Sequence, residues 1–252
     1  MRQIISKLIP GFLKQRLRLF FTWSRDILTG TRFKFFQSTA ERTNTGKNYS
    51  QRISITQPIN VSKWADNKKH NLILAINKFM DIAIYPGEIF SLWHLVGNPS
   101  TKDGYKVGIN IIQGKLDYEV GGGLCQLSGL LYHLALTAGL EIVERYPHSV
   151  DLYTDETRYT PLGADATIAY GYKDLRLKNS LGHPFCFRIA IQANTLQGSI
   201  CAPENIKHYE LKFEKKESDG IEYVKTLRRT DSGDYELLCT QTYIISDHGE
   251  TL

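Results

Sequence analysis

The feature that most narrows the possible folds lies mid-chain, where Gly121-Gly122-Gly123 runs directly into Leu124-Cys125-Gln126 and an apolar helical stripe. Leu127, Leu131, Leu134, Ala135 and Ala138 recur at the spacing of one helix face, and Gly139 supplies the stop. Three glycines have no side chains to block close backbone approach, so they predict a tight loop lying beside a ligand. Cys125 then stands at a helix start. Unpaired N–H groups and the positive end of the helix dipole favour a thiolate there and can hold a developing oxyanion. The alternative is a small thiol simply packed at a helix end.

The pattern around this unit mixes helices and strands. Residues 70–83 keep helical apolar spacing until Tyr85-Pro86-Gly87 ends the run, while residues 105–120, rich in glycine, read as short strands or an extended loop. Strand-like runs follow at residues 141–146, 166–170, 175–177 and 185–191. Three more, at residues 209–213, 222–227 and 235–245, are divided by Ser218-Asp219-Gly220 and Asp231-Ser232-Gly233. The expected class is α+β, a cysteine-bearing helix packed on a mainly antiparallel sheet. The expected division is a basic amphipathic helix and linker at 1–50, a central domain at 51–205 and a C-terminal β extension at 206–252. Residues 37–51, rich in Thr, Asn and Ser, read as that linker.

Charge is unevenly spread. Residues 1–36 hold eight basic side chains against Asp26, a local +7, so with +5 overall the rest carries −2. Leu13, Leu17, Phe20, Phe21, Ser24, Ile27 and Leu28 keep helical spacing there. Such a helix either packs on the body or lies on an anionic phospholipid surface. The body shows no basic stripe, so no nucleic-acid partner is expected. Lys7, Pro10 and Lys14 interrupt the apolar start, which does not read as a secretory signal, and no run reaches the roughly 18 apolar residues of a membrane span. Four cysteines without CxxC spacing fit a reducing compartment, which gives an expected cytoplasmic location with the inner membrane face as a peripheral site.

Thiolate chemistry needs a proton partner. His148, in Tyr146-Pro147-His148-Ser149, follows the strand after the cysteine helix, and Asp165 begins a later segment from which it can orient the imidazole. The alternatives are a capping or surface histidine and a turn-forming aspartate. His133, eight residues along the same helix, is too far along the axis to reach Cys125. Cys125, His148 and His94 do not match zinc-ligand spacing, and neither a GxGxxG nor a Walker loop is present, so no metal or cofactor is expected.

These residues belong to an ordered series. Pro86-Gly87-Glu88, Phe90-Ser91, Val96-Gly97, Gly104-Tyr105, Gly121 through Ser128, Glu144-Arg145, Pro147-His148-Ser149, Gly163-Ala164-Asp165-Ala166-Thr167, Tyr170-Gly171 and Asp174-Leu175 closely resemble the VanW family across residues 71–202. The family takes its name from a protein accompanying vancomycin-resistance genes. Through relatives that carry the domain beside cell-wall-binding modules, the resemblance implies L,D-transpeptidation of peptidoglycan with a cysteine nucleophile and an acyl-enzyme, a role falling here on Cys125. The order Cys125, His148, Asp165 also looks like that of transglutaminase- or papain-like enzymes, an analogy of arrangement. Gly121, Gly122, Gly123, Gln126, Ser128 and Ser149 are the candidate substrate contacts. The expected function is cysteine-dependent acyl transfer or amide hydrolysis on a peptide-like, cell-wall-derived substrate. The alternative is a noncatalytic ligand-binding or accessory protein of glycopeptide resistance or envelope functions.

Overall fold

The apolar stripe after the three glycines forms a helix over Leu124–Ala138, and Leu127, Leu130, Leu131 and Leu134 on it have no exposed surface. Full burial of each such leucine stabilises the fold by roughly 2 kcal/mol. The structure, a computed structural model, describes residues 11–112, 115–154 and 157–245. In chain order its elements are α1 (Gly11–Leu28), α2 (Ala40–Lys47), β1 (Ser50–Pro58), α3 (Ala65–Ile76), β2 (Ile89–Ser91), α4 (Leu92–Val96), β3 (Val107–Ile112), β4 (Lys115–Val120), α5 (Leu124–Ala138), β5 (Glu141–Glu144), β6 (Val150–Asp151), β7 (Arg176–Lys178), β8 (Cys186–Gln192), β9 (Thr195–Ala202), β10 (Leu211–Ser218), β11 (Ile221–Arg229) and β12 (Tyr235–Ile245).

Four sheets result, ordered β1-β9-β8, β10-β11-β12-β6, β2-β7-β5 and the hairpin β3-β4. Every strand pairing is antiparallel except β12 with β6, where Ile244 lies beside Val150. The protein is therefore α+β, and the cysteine-bearing helix α5 packs on the β1-β9-β8 sheet.

Several elements differ from the sequence expectation. Residues 37–51 are not a plain linker, because α2 forms there. Thr39 caps it by accepting from the Arg42 N–H at 3.3 Å, and the Arg42 guanidinium grips Glu88 at 2.7 and 2.9 Å. These partners lie far away in sequence, so local composition could not announce them. The helix expected over 70–83 is α3, which starts earlier and ends at Ile76. Phe79, Ile82 and Ala83 nevertheless stay buried, so their spacing reflects core contact outside a helix. Residues 166–170 form no strand: Ala169 makes an isolated bridge to Lys173, and Tyr170 lies in the turn between them. The Thr167 N–H donates to the Tyr146 carbonyl at 2.8 Å, and Ser128 Oγ donates to the Ala166 carbonyl at 2.6 Å. Strand β9 was not anticipated, although its Leu196, Ile200 and Cys201 are wholly buried.

Helix α1 forms where periodicity predicts it, but a polar face holds it to the body. Asp26 accepts both Arg176 guanidinium nitrogens at 2.7 Å, Arg176 Nε reaches Asp174 at 3.0 Å, and Ser91 Oγ donates to Asp174 at 2.5 Å. Burying the Arg176 charge on β7 requires such partners, and α1 supplies one. Of the basic residues counted above, Arg2 and Lys7 lie outside the described residues, as do residues 246–252 of the C-terminal extension.

Candidate active site

The hairpin β3-β4 delivers the chain into the three-glycine loop. Gly121 and Gly123 have φ of 84° and 98°, the left-handed region that glycine reaches without strain. At Gly122 the requirement is space, since an added Cβ would stand 2.3 Å from the Gly108 carbonyl carbon. Asn71 Nδ2 ties the arrangement together by donating to the Lys106 and Gly122 carbonyls at 2.9 and 3.0 Å. The loop thus packs tightly on another backbone and turns the chain into α5, whose start carries no side-chain cap. The Gln126 N–H donates to the Gly123 carbonyl at 3.1 Å, closing the first turn.

That space is a cavity of about 710 Å³ whose walls include Cys125, His148, Ser149, Thr167, Asn110 and Gly121. Cys125 Sγ lies 3.9 Å from both Asn110 Oδ1 and Thr167 Oγ1. His148 is almost fully buried, with Nδ1 2.7 Å from Asp165 Oδ2, and its backbone N–H donates to the same oxygen at 2.8 Å. A carboxylate can only accept, so Nδ1 carries the proton and Nε2 is the working end of the ring. Nε2 is buried and has no well-formed hydrogen bond among the described residues. Asp165 Oδ1 accepts from Arg145 Nη2 at 2.8 Å and from the Tyr243 hydroxyl at 2.5 Å. Tyr243 also accepts the Gly163 N–H at 3.0 Å.

The electrostatics follow from these contacts. Burial alone would push the Cys125 thiol up, but the His148 imidazolium, the Ile168 N–H and the Thr167 hydroxyl outweigh it and bring the pKa below the ordinary thiol value. Burial would likewise push His148 down, yet the hydrogen bond to Asp165 and the charges of Asp165 and Cys125 raise its pKa to about 10. For Asp165 burial is opposed by His148 and Arg145, which hold the carboxyl well below its usual range. The arrangement thus favours a thiolate at Cys125 beside an imidazolium backed by a carboxylate.

The structure brings Cys125, His148 and Asp165 together, with Gly121 and Ser149 in the same cavity wall. Gly122 and Gly123 shape the loop from behind, against Gly108 and the Lys68 stem. Gln126 and Ser128 are buried and committed internally: Gln126 Nε2 donates to the Pro58 carbonyl at 2.8 Å, and Ser128 Oγ donates to the Cys125 and Ala166 carbonyls. Gln126 Oε1, also buried, has no hydrogen-bond partner among the described residues. Sequence reading missed Arg145, Tyr243, Thr167, Asn110 and Lys68. Burial draws the Lys68 pKa down to about 8 against the opposing influence of Cys125, and its ammonium lies 5.5 Å from the Tyr159 ring centre. His94 lines a different cavity from Cys125, its ring tilted against Phe35 and its Nδ1 3.3 Å from Arg32. Among the described residues no group of three or more His, Cys, Asp or Glu side chains is placed to hold a metal ion.

Comparison with known proteins places residues 67–201 within the family described as "VanW like protein". The chain is similar to the "Uncharacterized protein YoaR" of Bacillus subtilis, 36% identical over 134 residues, which is 53% of this chain and 41% of that protein. It is also similar to the "Vancomycin B-type resistance protein VanW" of Enterococcus faecalis, 32% identical over 172 residues, 66% of this chain and 62% of that one. The matched region therefore spans less than two thirds of either relative's length. No solved structure matches the chain.

Proposed function

The chain belongs to the VanW-like protein family, and from that premise we propose that it is a cysteine acyl transferase or amidase acting on a peptide-like, cell-wall-derived substrate. One observation carries the reading: a buried His148–Asp165 pair whose free Nε2 adjoins the Cys125 thiol at the edge of a cavity large enough for a short peptide. The peptide class comes from the family resemblance, together with a relative whose name records vancomycin resistance.

In this reading the Cys125 thiolate attacks a substrate carbonyl carbon and forms a C–S bond while the N–H groups opening α5 hold the oxyanion. The C–N bond then breaks as His148 gives its Nε2 proton to the departing amine, leaving a thioester on Cys125. Neutral His148 next takes a proton from an incoming amine or water, which attacks the thioester carbonyl and releases the thiolate. Asp165 keeps Nδ1 donating toward itself, so Nε2 serves first as acid and then as base. Arg145 and Tyr243 hold Asp165 and touch no substrate.

The test is intact-protein mass spectrometry after incubating the full chain with a synthetic peptidoglycan stem tetrapeptide. The expected result is an acyl adduct located on Cys125 and absent from Cys125→Ala. Binding of the peptide without an adduct, equal in the wild type and Cys125→Ser, overturns catalysis in favour of a noncatalytic ligand-binding role.

A further inference from the structure

Helix α1 packs on the body with the wrong side for a core helix. At 100° per residue, Gln15, Leu19, Thr22 and Asp26 fall within an arc of about 60°. This is the face that meets the protein: Leu19 lies against Gly171, Thr22 Oγ1 donates to the Gly171 carbonyl at 3.2 Å, and Asp26 is buried on Arg176. Leu13, Leu17, Phe20, Phe21 and Leu28 occupy an arc of about 100° on the opposite side. Their exposures run from 40% at Leu17 to 86% at Leu28, so the stripe faces solvent. Arg16 flanks one edge, and Lys14, Arg18 and Arg25 flank the other. Asp26 is paired with Arg176, and Arg25 is held by Glu144 at 3.1 Å and Asp26 at 3.4 Å, so Lys14, Arg16 and Arg18 carry the positive border.

We propose that this face of α1 is a docking surface for an anionic lipid membrane. An apolar stripe about 100° wide with basic flanks combines both attractions that hold an interfacial helix, apolar burial and the pull of anionic headgroups. Charge decides against a second copy of the chain, because packing stripe on stripe would bring like-charged borders together, whereas anionic lipid neutralises them. The body fixes the direction of the stripe, since the Asp26–Arg176 pair and the Thr22 bond prevent α1 from rolling its apolar side inward. Phe33, 81% exposed in the turn after the helix, lies between Arg32 and Lys34 and adds a further apolar contact with basic neighbours. The same helix contributes Gln15 to the wall of the Cys125 cavity, so the docking face and the reactive cavity share one element. The proposal stands independently of the chemistry assigned to Cys125.

Cosedimentation of the full chain with phosphatidylglycerol–phosphatidylcholine vesicles and with pure phosphatidylcholine vesicles tests it. The expected result is binding to the anionic vesicles alone, weakened by about 0.5 M salt. The pair Phe20→Glu and Phe21→Glu, exposed and free of packing duties, should lower the partition coefficient at least about tenfold with an unchanged thermal melt. The pair Lys14→Glu and Arg16→Glu should remove the preference for anionic lipid. Equal recovery with both vesicle types, or binding untouched by the phenylalanine substitutions, overturns the proposal. So does a dimer in solution that these substitutions dissociate in a protein that binds no vesicle.

Discussion

Replacing Asp165 with Asn removes one charge from the site while keeping its shape. In the folded protein the carboxylate takes hydrogen bonds from His148 Nδ1, Arg145 and Tyr243 at 2.7, 2.8 and 2.5 Å. Burial opposes the His148 charge, yet Asp165 and Cys125 together raise its pKa from the ordinary 6.5 to about 10. At about 1.4 kcal/mol per pH unit, that rise corresponds to something on the order of 5 kcal/mol favouring the imidazolium. The Asp165 hydrogen bond is the largest favourable contribution to that rise, so Asp165→Asn withdraws on the order of 2 kcal/mol from the imidazolium and lifts the Cys125 pKa. The rate of iodoacetamide labelling of Cys125 against pH reads this directly, because only the thiolate reacts. The midpoint should move upward, with labelling near neutral pH slowed about tenfold. Arg145 loses its carboxylate partner in the variant, so the melting temperature should fall as well, and near-ultraviolet circular dichroism confirms that the labelled protein is folded. A folded variant whose labelling midpoint matches the wild type would refute the reasoning.

Two further substitutions probe the supports. Tyr243→Phe deletes the hydroxyl that donates to Asp165 and accepts the Gly163 N–H, so it should cost about 1–3 kcal/mol in urea denaturation. It should shift the Cys125 labelling midpoint less than Asp165→Asn does, because the Nδ1–Oδ2 bond survives. Gly122→Ala places a Cβ 2.3 Å from the Gly108 backbone, and forcing the hairpin away from the start of α5 should cost about 2 kcal/mol or more and slow Cys125 labelling. A melt equal to wild type would show that the loop has room the geometry denies it.

The parts of this arrangement that were legible in the sequence are those set by local rules. The glycines, the leucine spacing and Gly139 define α5 within one stretch of chain, and C-terminal β12 runs over Tyr235–Ile245 as its pattern suggests. Cys125, His148 and Asp165 could be nominated from residue type and order. Arg145 and Tyr243 could not: Arg145 meets Asp165 across 20 residues of chain, and Tyr243 meets it because β12 lies beside β6, a pairing of segments about 90 residues apart. The same limit hid α2, whose Arg42 depends on Glu88, and misjudged residues 77–83, whose apolar spacing is shared by a helix and by a buried turn. For α1 the periodicity gave the helix but not its orientation. The buried Arg176 decides that by demanding a carboxylate on the inward face.

The central claim is that His148 lowers the pKa of the Cys125 thiol. Ultraviolet thiolate absorbance, followed through a pH titration of wild type and Cys125→Ser, isolates that one sulfur by difference. The account predicts a transition that appears as pH rises through a value below the ordinary thiol pKa of 9.0, and that moves upward in His148→Ala. A wild-type transition at or above 9.0, or one that His148→Ala leaves in place, would contradict it.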